Sequence, residues 1–272
     1  MSESDVERSH GMHVVHDGPR QAPPLLLVHG SGASGGTWKP MIPALAAHRH
    51  VIRVDLPGCG QSPPAASYDV PDQADRVAAL LDGLGLGRVD VAGHSSGGYV
   101  ATALAERRPD LVGSLALISS GPDLDALLRQ PLLLRALLSP PLRPLLFHVP
   151  PYISAVLRGE RPAPPHAKDG GDCCYAPDAG RAIALLMTAR TLRHDTYNVS
   201  SGRPFTNREF AEALEAITPG LRLDLLPGRR SGPGEDPYLD IGRLTADTGF
   251  TPEFDVAKAV ADYVAWRAGN PR

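Results

Sequence analysis

Two glycine-bounded turns hold the residues whose types and spacing could do chemistry. Gly93-His94-Ser95-Ser96-Gly97-Gly98 follows the run RVDVA at 88–92 and precedes a helix-length segment from Tyr99. G-x-S-x-G between a strand and a helix is the pattern of a nucleophile elbow. A serine hydroxyl attacks a carbonyl poorly unless a sharp turn presents it to a base and to oxyanion donors. Ser95 is the candidate nucleophile, and the start of the helix would offer the Ser96 N–H to a developing oxyanion. A Ser/Gly turn without catalysis is the plain alternative. Gly30-Ser31-Gly32-Ala33-Ser34-Gly35 is the second turn, a G-x-G-x-x-G after a strand, with Asp55 at the end of the next strand. On paper that is a dinucleotide fingerprint. The fingerprint needs a helix opening inside the glycines to hold a pyrophosphate. Pro40 and Pro43 would break that helix, at ~3 kcal/mol each in an interior. The elbow is the stronger signal.

The elements that must position these turns alternate along the first half. Short apolar runs at 25–28 (LLLV), 50–55 (HVIRVD), 88–92 and 114–119 (SLALIS) predict strands. Helical spacing predicts helices over 70–84 and 99–108, stopped by Gly85 and Pro109. Strands separated by helix-length segments imply right-handed βαβ units and a mostly parallel sheet, with ligands at the carboxyl ends of its strands.

Together these residues resemble the α/β-hydrolase superfamily, in its esterase, lactonase and peptidase-like members with a helical cap. The matching pieces are His29-Gly30-Ser31 through Thr37-Trp38, then Asp55-Leu56-Pro57-Gly58-Cys59-Gly60-Gln61-Ser62, then the elbow. The resemblance implies an α/β-hydrolase core over 1–123 and a helical cap over 124–196. It also implies that the Ser31 backbone N–H partners Ser96 as the second oxyanion donor, and that His29-Gly30 opens an oxyanion loop. Cys59 departs from the family, which commonly has His or an aromatic residue there; a small packing residue is expected. The Leu-rich, Pro- and Arg-interrupted segment 124–157, the turn-rich insert 162–178 and an amphipathic helix at 183–193 make up the expected cap.

A triad requires Ser, then an acid, then a His base in chain order. The chain has ten His, and the last is His194. The base therefore cannot come from the usual place after the last strand. His94, His148, His166 and His194 are the remaining candidates, with His194 kept as base and Asp123 as acid; Asp123 equally suits a helix cap. From 197 the chain changes character. Tyr197-Asn198-Val199 with Gly202, Asn207-Arg208-Glu209-Phe210, and Asp240-Ile241-Gly242-Arg243-Leu244 through Pro252 resemble the C-terminal end of extended short-chain dehydrogenase/reductases of the NAD-dependent epimerase/dehydratase type. The resemblance implies an epimerase-like α+β tail over 197–272 in place of the last hydrolase strands, joined near His194–Tyr197. The reductase chemistry does not follow, because none of the seven Tyr has Lys four residues on. In the tail, Thr206-Asn207-Arg208-Glu209 predicts a capping box opening a helix to Ile217, and LRLDLL at 221–226 predicts a strand.

Lys+Arg 27 against Asp+Glu 30 leaves a net charge of -3, which argues against a nucleic-acid binder. No apolar run is long enough to predict a membrane span. Acidic residues and the lack of an apolar stretch at 1–20 predict no secretory signal. Three Cys, with Cys173 and Cys174 adjacent, make neither a disulfide framework nor a spaced zinc motif, and fit a reducing cytoplasm. The expectation is a serine hydrolase acting through an acyl-enzyme on a small apolar ester or lactone, impaired for want of a triad His, with no cofactor and no metal. A non-catalytic binding module or chimeric pseudoenzyme is the first alternative, and an NAD-dependent nucleotide-sugar epimerase/dehydratase the second.

Overall fold

The structure, a computed structural model, describes residues 5–118, 120, 159, 163–172, 174–194, 196–230 and 238–269. The chain forms two compact units, Met1–Pro150 and Pro151–Arg272. Most of the expected cap, with Asp123 and His148, lies outside the described residues.

The first unit is a six-stranded sheet. Strands β1 (Asp5–Ser9) and β2 (Met12–Asp17) form an antiparallel hairpin, followed by β3 (Pro24–Val28), β4 (His50–Asp55), β5 (Val89–His94) and β6 (Val112–Ile118). The order is β1-β2-β4-β3-β5-β6; β3, β4, β5 and β6 run parallel, and β2 pairs antiparallel with β4. The expected mostly parallel sheet is therefore present, and its four parallel strands are those the apolar runs predict. Helices α1 (Ile42–Leu45), α2 (Val70–Gly83) and α3 (Ser96–Arg107) lie between the strands. Val77, Leu80 and Leu81 of α2 and Val100 and Leu104 of α3 pack with Leu26, Val28, Ile52 and Val91 of the strands. That burial is the sheet's main stabilisation, at ~25 cal/mol per Å² of apolar surface.

Two pairs of polar residues buried in the sheet face each other across β2 and β4. Arg53 on β4 donates to both carboxylate oxygens of Asp17 on β2, at 2.7 and 3.1 Å. His50 stacks on His16 at 5.1 Å between ring centroids, with His50 Nε2 and His16 Nδ1 2.9 Å apart. β6 stands at one edge of the sheet among the described residues, and its bounds differ from those of the strand expected at 114–119. It starts at Val112, and 113–115 are exposed, because β5 is its one strand neighbour among the described residues.

The second unit is small helices around two apolar clusters. It contains β7 (Gly170–Gly171), α4 (Ala176–Thr188), β8 (Phe205–Thr206), α5 (Asn207–Ile217), α6 (Gly242–Thr248) and α7 (Val256–Gly269). Ala182 of α4 joins Leu244 and Phe250 in one cluster, with Tyr197 and Val199 packed against it. The helix expected to close a cap at 183–193 thus lies at Ala176–Thr188 and packs with residues of the expected tail. Leu214 and Val260 form the other cluster, with Leu221 and Leu223 against it.

The capping box is present. Thr206 Oγ1 accepts from the Glu209 N–H, and the Glu209 carboxylate accepts from the Thr206 N–H at 2.7 Å. The strand expected at 221–226 is absent. Its alternation is real, with Leu221 and Leu223 half-buried between exposed neighbours, but it finds one isolated bridge, Leu226 to His166, in place of a ladder. Carboxylates tie the loops of this unit together. Asp178 accepts from Arg181 and from the Glu253 and Phe254 N–H groups. Asp247 accepts from the Tyr197 hydroxyl and from Arg193, which hold its carboxyl down to about 2. Among the described residues, no helix is long and apolar enough to cross a membrane.

Candidate active site

β5 runs directly into α3 through Ser95, with no intervening loop residue. Ser95 has φ 52 and ψ -123, one of two non-glycine residues with positive φ among those described. Such a conformation costs of order 1–3 kcal/mol and persists only where neighbours enforce it. Here the enforcers are identifiable. The Ser95 N–H donates to the Ile118 carbonyl of β6 at 2.9 Å, and the Gly98 N–H donates to the Ser95 carbonyl at 2.9 Å. A Cβ on Gly97 would strike the carbonyl oxygens of Val28 and His29 at the end of β3. A Cβ on Gly93 would lie 2.6 Å from the Gly97 carbonyl. The G-x-S-x-G glycines are thus required by close backbone approach.

The loop after β3 lies against this turn. A Cβ on Gly30 would be 3.0 Å from the Ser95 Cβ, so the absence of a side chain there leaves room beside the serine. Ser31 Oγ and Ser96 Oγ are 2.7 Å apart and both residues are half-buried. Ser96 opens α3, and the first N–H groups of a helix have no partner within it. The structure therefore brings together Ser31, Ser95 and Ser96, three of the five residues singled out from the sequence. Asp123 lies outside the described residues. His194 belongs to the second unit, where its ring meets Tyr197 edge-on at 5.9 Å and its N–H donates to the Tyr197 hydroxyl. His166 is also in the second unit, with Nδ1 against the Pro227 carbonyl.

His29 and His94 flank the site from the first unit. Leu56 N–H donates to His29 Nε2 at 2.9 Å, which leaves His29 Nδ1–H to donate to the Gly30 carbonyl at 2.8 Å. His29 is thereby fixed as a neutral strut under the loop. The His94 ring packs edge-on to Trp38 at 6.4 Å, and burial lowers its affinity for a proton. No residue among those described hydrogen-bonds Ser95 Oγ. The contact that sequence reasoning missed is the one between the Ser31 and Ser96 hydroxyls. Two serines so far apart in the chain carry no periodic signal of proximity.

The glycine turn after β3 does not behave as a dinucleotide site. It runs into a 3-10 helix, Gly35–Met41, that contains Pro40, followed by the four-residue α1 with Pro43 near its start. Asp55, which a ribose would need, accepts from the Gly35 N–H at 2.6 Å and from the Gln61 N–H at 2.8 Å. Both carboxylate oxygens hold loops of the fold.

Residues 23–140 match the family model of the alpha/beta hydrolase fold. A dihydrolipoyllysine-residue acetyltransferase component of the acetoin cleaving system of Pseudomonas putida is 46% identical over 98 residues, 36% of this chain and 26% of that protein. The (E)-2-((N-methylformamido)methylene)succinate hydrolase of Acinetobacter baylyi is 40% identical over 97 residues, 35% of this chain and 37% of that protein. A pimeloyl-acyl-carrier-protein methyl ester esterase of Aeromonas hydrophila is 41% identical over 104 residues, 38% of this chain and 39% of that protein. The chain thus spans well under half the length of these curated relatives. The epoxide hydrolase CorEH is similar at 35% identity and a TM-score of 0.43, over 45% of this chain and 44% of that one. Over the matched segment, the chain has an α/β-hydrolase fold with a mostly parallel sheet, and hydrolases are among its relatives.

Proposed function

We propose that the first unit is a serine hydrolase acting by acyl transfer on a small, mostly apolar ester or lactone. The observation that carries this reading is the positive φ of Ser95, enforced by glycine contacts at the junction of a parallel strand and a helix. Ser95 Oγ attacks the substrate carbonyl, and the Ser31 and Ser96 N–H groups receive the negative charge that develops on its oxygen. Collapse expels the alcohol and leaves an acyl-enzyme, which water opens to the acid. The names of the hydrolase relatives favour a small-molecule substrate.

The base is the weak link. Asp123 and His194 are the candidates from chain order, and no described residue reaches Ser95 Oγ. A serine hydrolase lacking a triad member retains roughly 10³–10⁴-fold catalysis over water, from the oxyanion site and binding. Acylation by activated esters with slow release is the expected behaviour. A fluorophosphonate probe tests it directly: the folded protein should label, and Ser95→Ala should not. Folded protein that stays unlabelled overturns the hydrolase reading.

A second reading, a non-catalytic module or chimeric pseudoenzyme, draws on the absence of any His after His194. It predicts labelling without turnover, or none. The second unit, which resembles an epimerase-type tail in its motifs, is on this view a passenger without reductase chemistry. An NAD-dependent epimerase has no support from the glycine turn, whose Asp55 is occupied by backbone donors.

A further inference from the structure

We propose that the Ser31 side chain supplies a third donor to the oxyanion, held in place by the Ser96 hydroxyl; this rests on Ser95 being the nucleophile. Each serine hydroxyl has one proton to donate and two lone pairs to accept with. Ser31 Oγ and Ser96 Oγ meet at 2.7 Å, and among the described residues neither hydroxyl has another partner. One contact between two hydroxyls uses one proton, so one O–H stays undirected. It sits on the residues whose backbone N–H groups face the developing charge.

With Ser96 donating, Ser31 Oγ accepts and its own proton is free to point at the substrate oxygen. A neutral carbonyl gains little from that proton, whereas a full oxyanion gains a charge-assisted hydrogen bond. The interaction therefore strengthens in the transition state, which is the requirement for acceleration. The Ser96 side chain acts through Ser31 as a positioning residue. It fixes the hydroxyl across a contact that joins the loop after β3 to the first turn of α3.

The fluorophosphonate reaction reads this out without a completed triad. Ser95 Oγ bonds to phosphorus, the P–F bond breaks, fluoride leaves, the serine proton passes to solvent, and negative charge builds on the phosphoryl oxygen. Ser31→Ala should lower the limiting labelling rate by about 10- to 100-fold, toward the loss seen when one oxyanion donor is removed. Its half-saturating probe concentration and its melting temperature should stay unchanged. Ser31→Thr keeps a hydroxyl and should label within about threefold of the original. Ser96→Ala should slow labelling less, and Ser31→Ala/Ser96→Ala should be no slower than Ser31→Ala alone, because the two act as one unit. Ser31→Ala labelling at the original rate overturns the third donor. Equal losses in Ser31→Ala and Ser31→Thr would assign the effect to shape and overturn it as well. Absence of labelling in the unmodified protein fells the Ser95 reading itself, and the donor with it.

Discussion

Ser95 is held in a conformation that its own side chain disfavours, and that is measurable apart from any reaction. Glycine adopts positive φ without the Cβ penalty. Ser95→Gly should therefore be more stable than Ser95→Ala by about 1 kcal/mol, despite the greater entropy glycine loses on folding. Urea unfolding of the two variants checks it; Ser95→Ala equal to or above Ser95→Gly would mean that the turn carries no strain. At this scale the sequence is most legible where geometry is local. G-x-S-x-G names the strained residue because the glycines and the turn are neighbours in the chain. It is silent on Ser31 Oγ against Ser96 Oγ, which depends on how β3 and β5 pair. Asp55 misleads for the same reason: its spacing suits a ribose, and only the folded loops reveal its two backbone donors.

Among the elements, the β1–β2 hairpin is written in VERS-HG-MHVV, two short runs around a two-residue turn. His10 and Gly11 both take positive φ in its two-residue turn, the twist that tight hairpins need. The hairpin places His16 against His50 of β4, both almost wholly buried. Burial above all, together with the neighbouring His16 and Arg20, pushes His50 down to about 4 from a usual value near 6.5. Burial and Arg20 also lower His16, against the opposing pull of Glu7 and Asp5. Groups with lowered folded-state values bind protons more readily when unfolded. Their neutral pairing therefore contributes fully above pH 6.5 and is lost as pH falls toward 4. The loss should be on the order of 2–3 kcal/mol across that window. His50→Leu should flatten the decline in urea midpoint between pH 7 and pH 4.5; an unchanged slope would place the acid sensitivity elsewhere. The LRLDLL segment teaches the converse. Alternation foretold which of its residues pack, but a strand also needs a partner, and partnership is not written in one segment.

For the molecule as a whole, the residues divide into two units with separate apolar clusters. The four parallel strands were legible because buried parallel strands read as continuous apolar runs. The placement of α4 was not, since an amphipathic helix shows a greasy face without saying what covers it. Separate cores predict separable stability. Phe250 is fully buried in the second unit, so Phe250→Ala should cost that unit about 3–5 kcal/mol. In calorimetry this should shift one unfolding transition and leave fluorophosphonate labelling of Ser95 intact. Loss of labelling in step with that transition would show that the first unit depends on the second.

The strand order also bears on time. β3 sits in the middle of the parallel strands, and its Leu25 pairs with Asp90 of β5, far along the chain. Such distant contacts must overcome loop-closure entropy before they yield any stabilisation, which slows folding. A ribosome must therefore deliver β5 before the sheet's centre can close. Ser95, immediately beyond β5, reaches its strained pose only afterwards. The nascent chain carries Ser95 relaxed until the fold around it is nearly built.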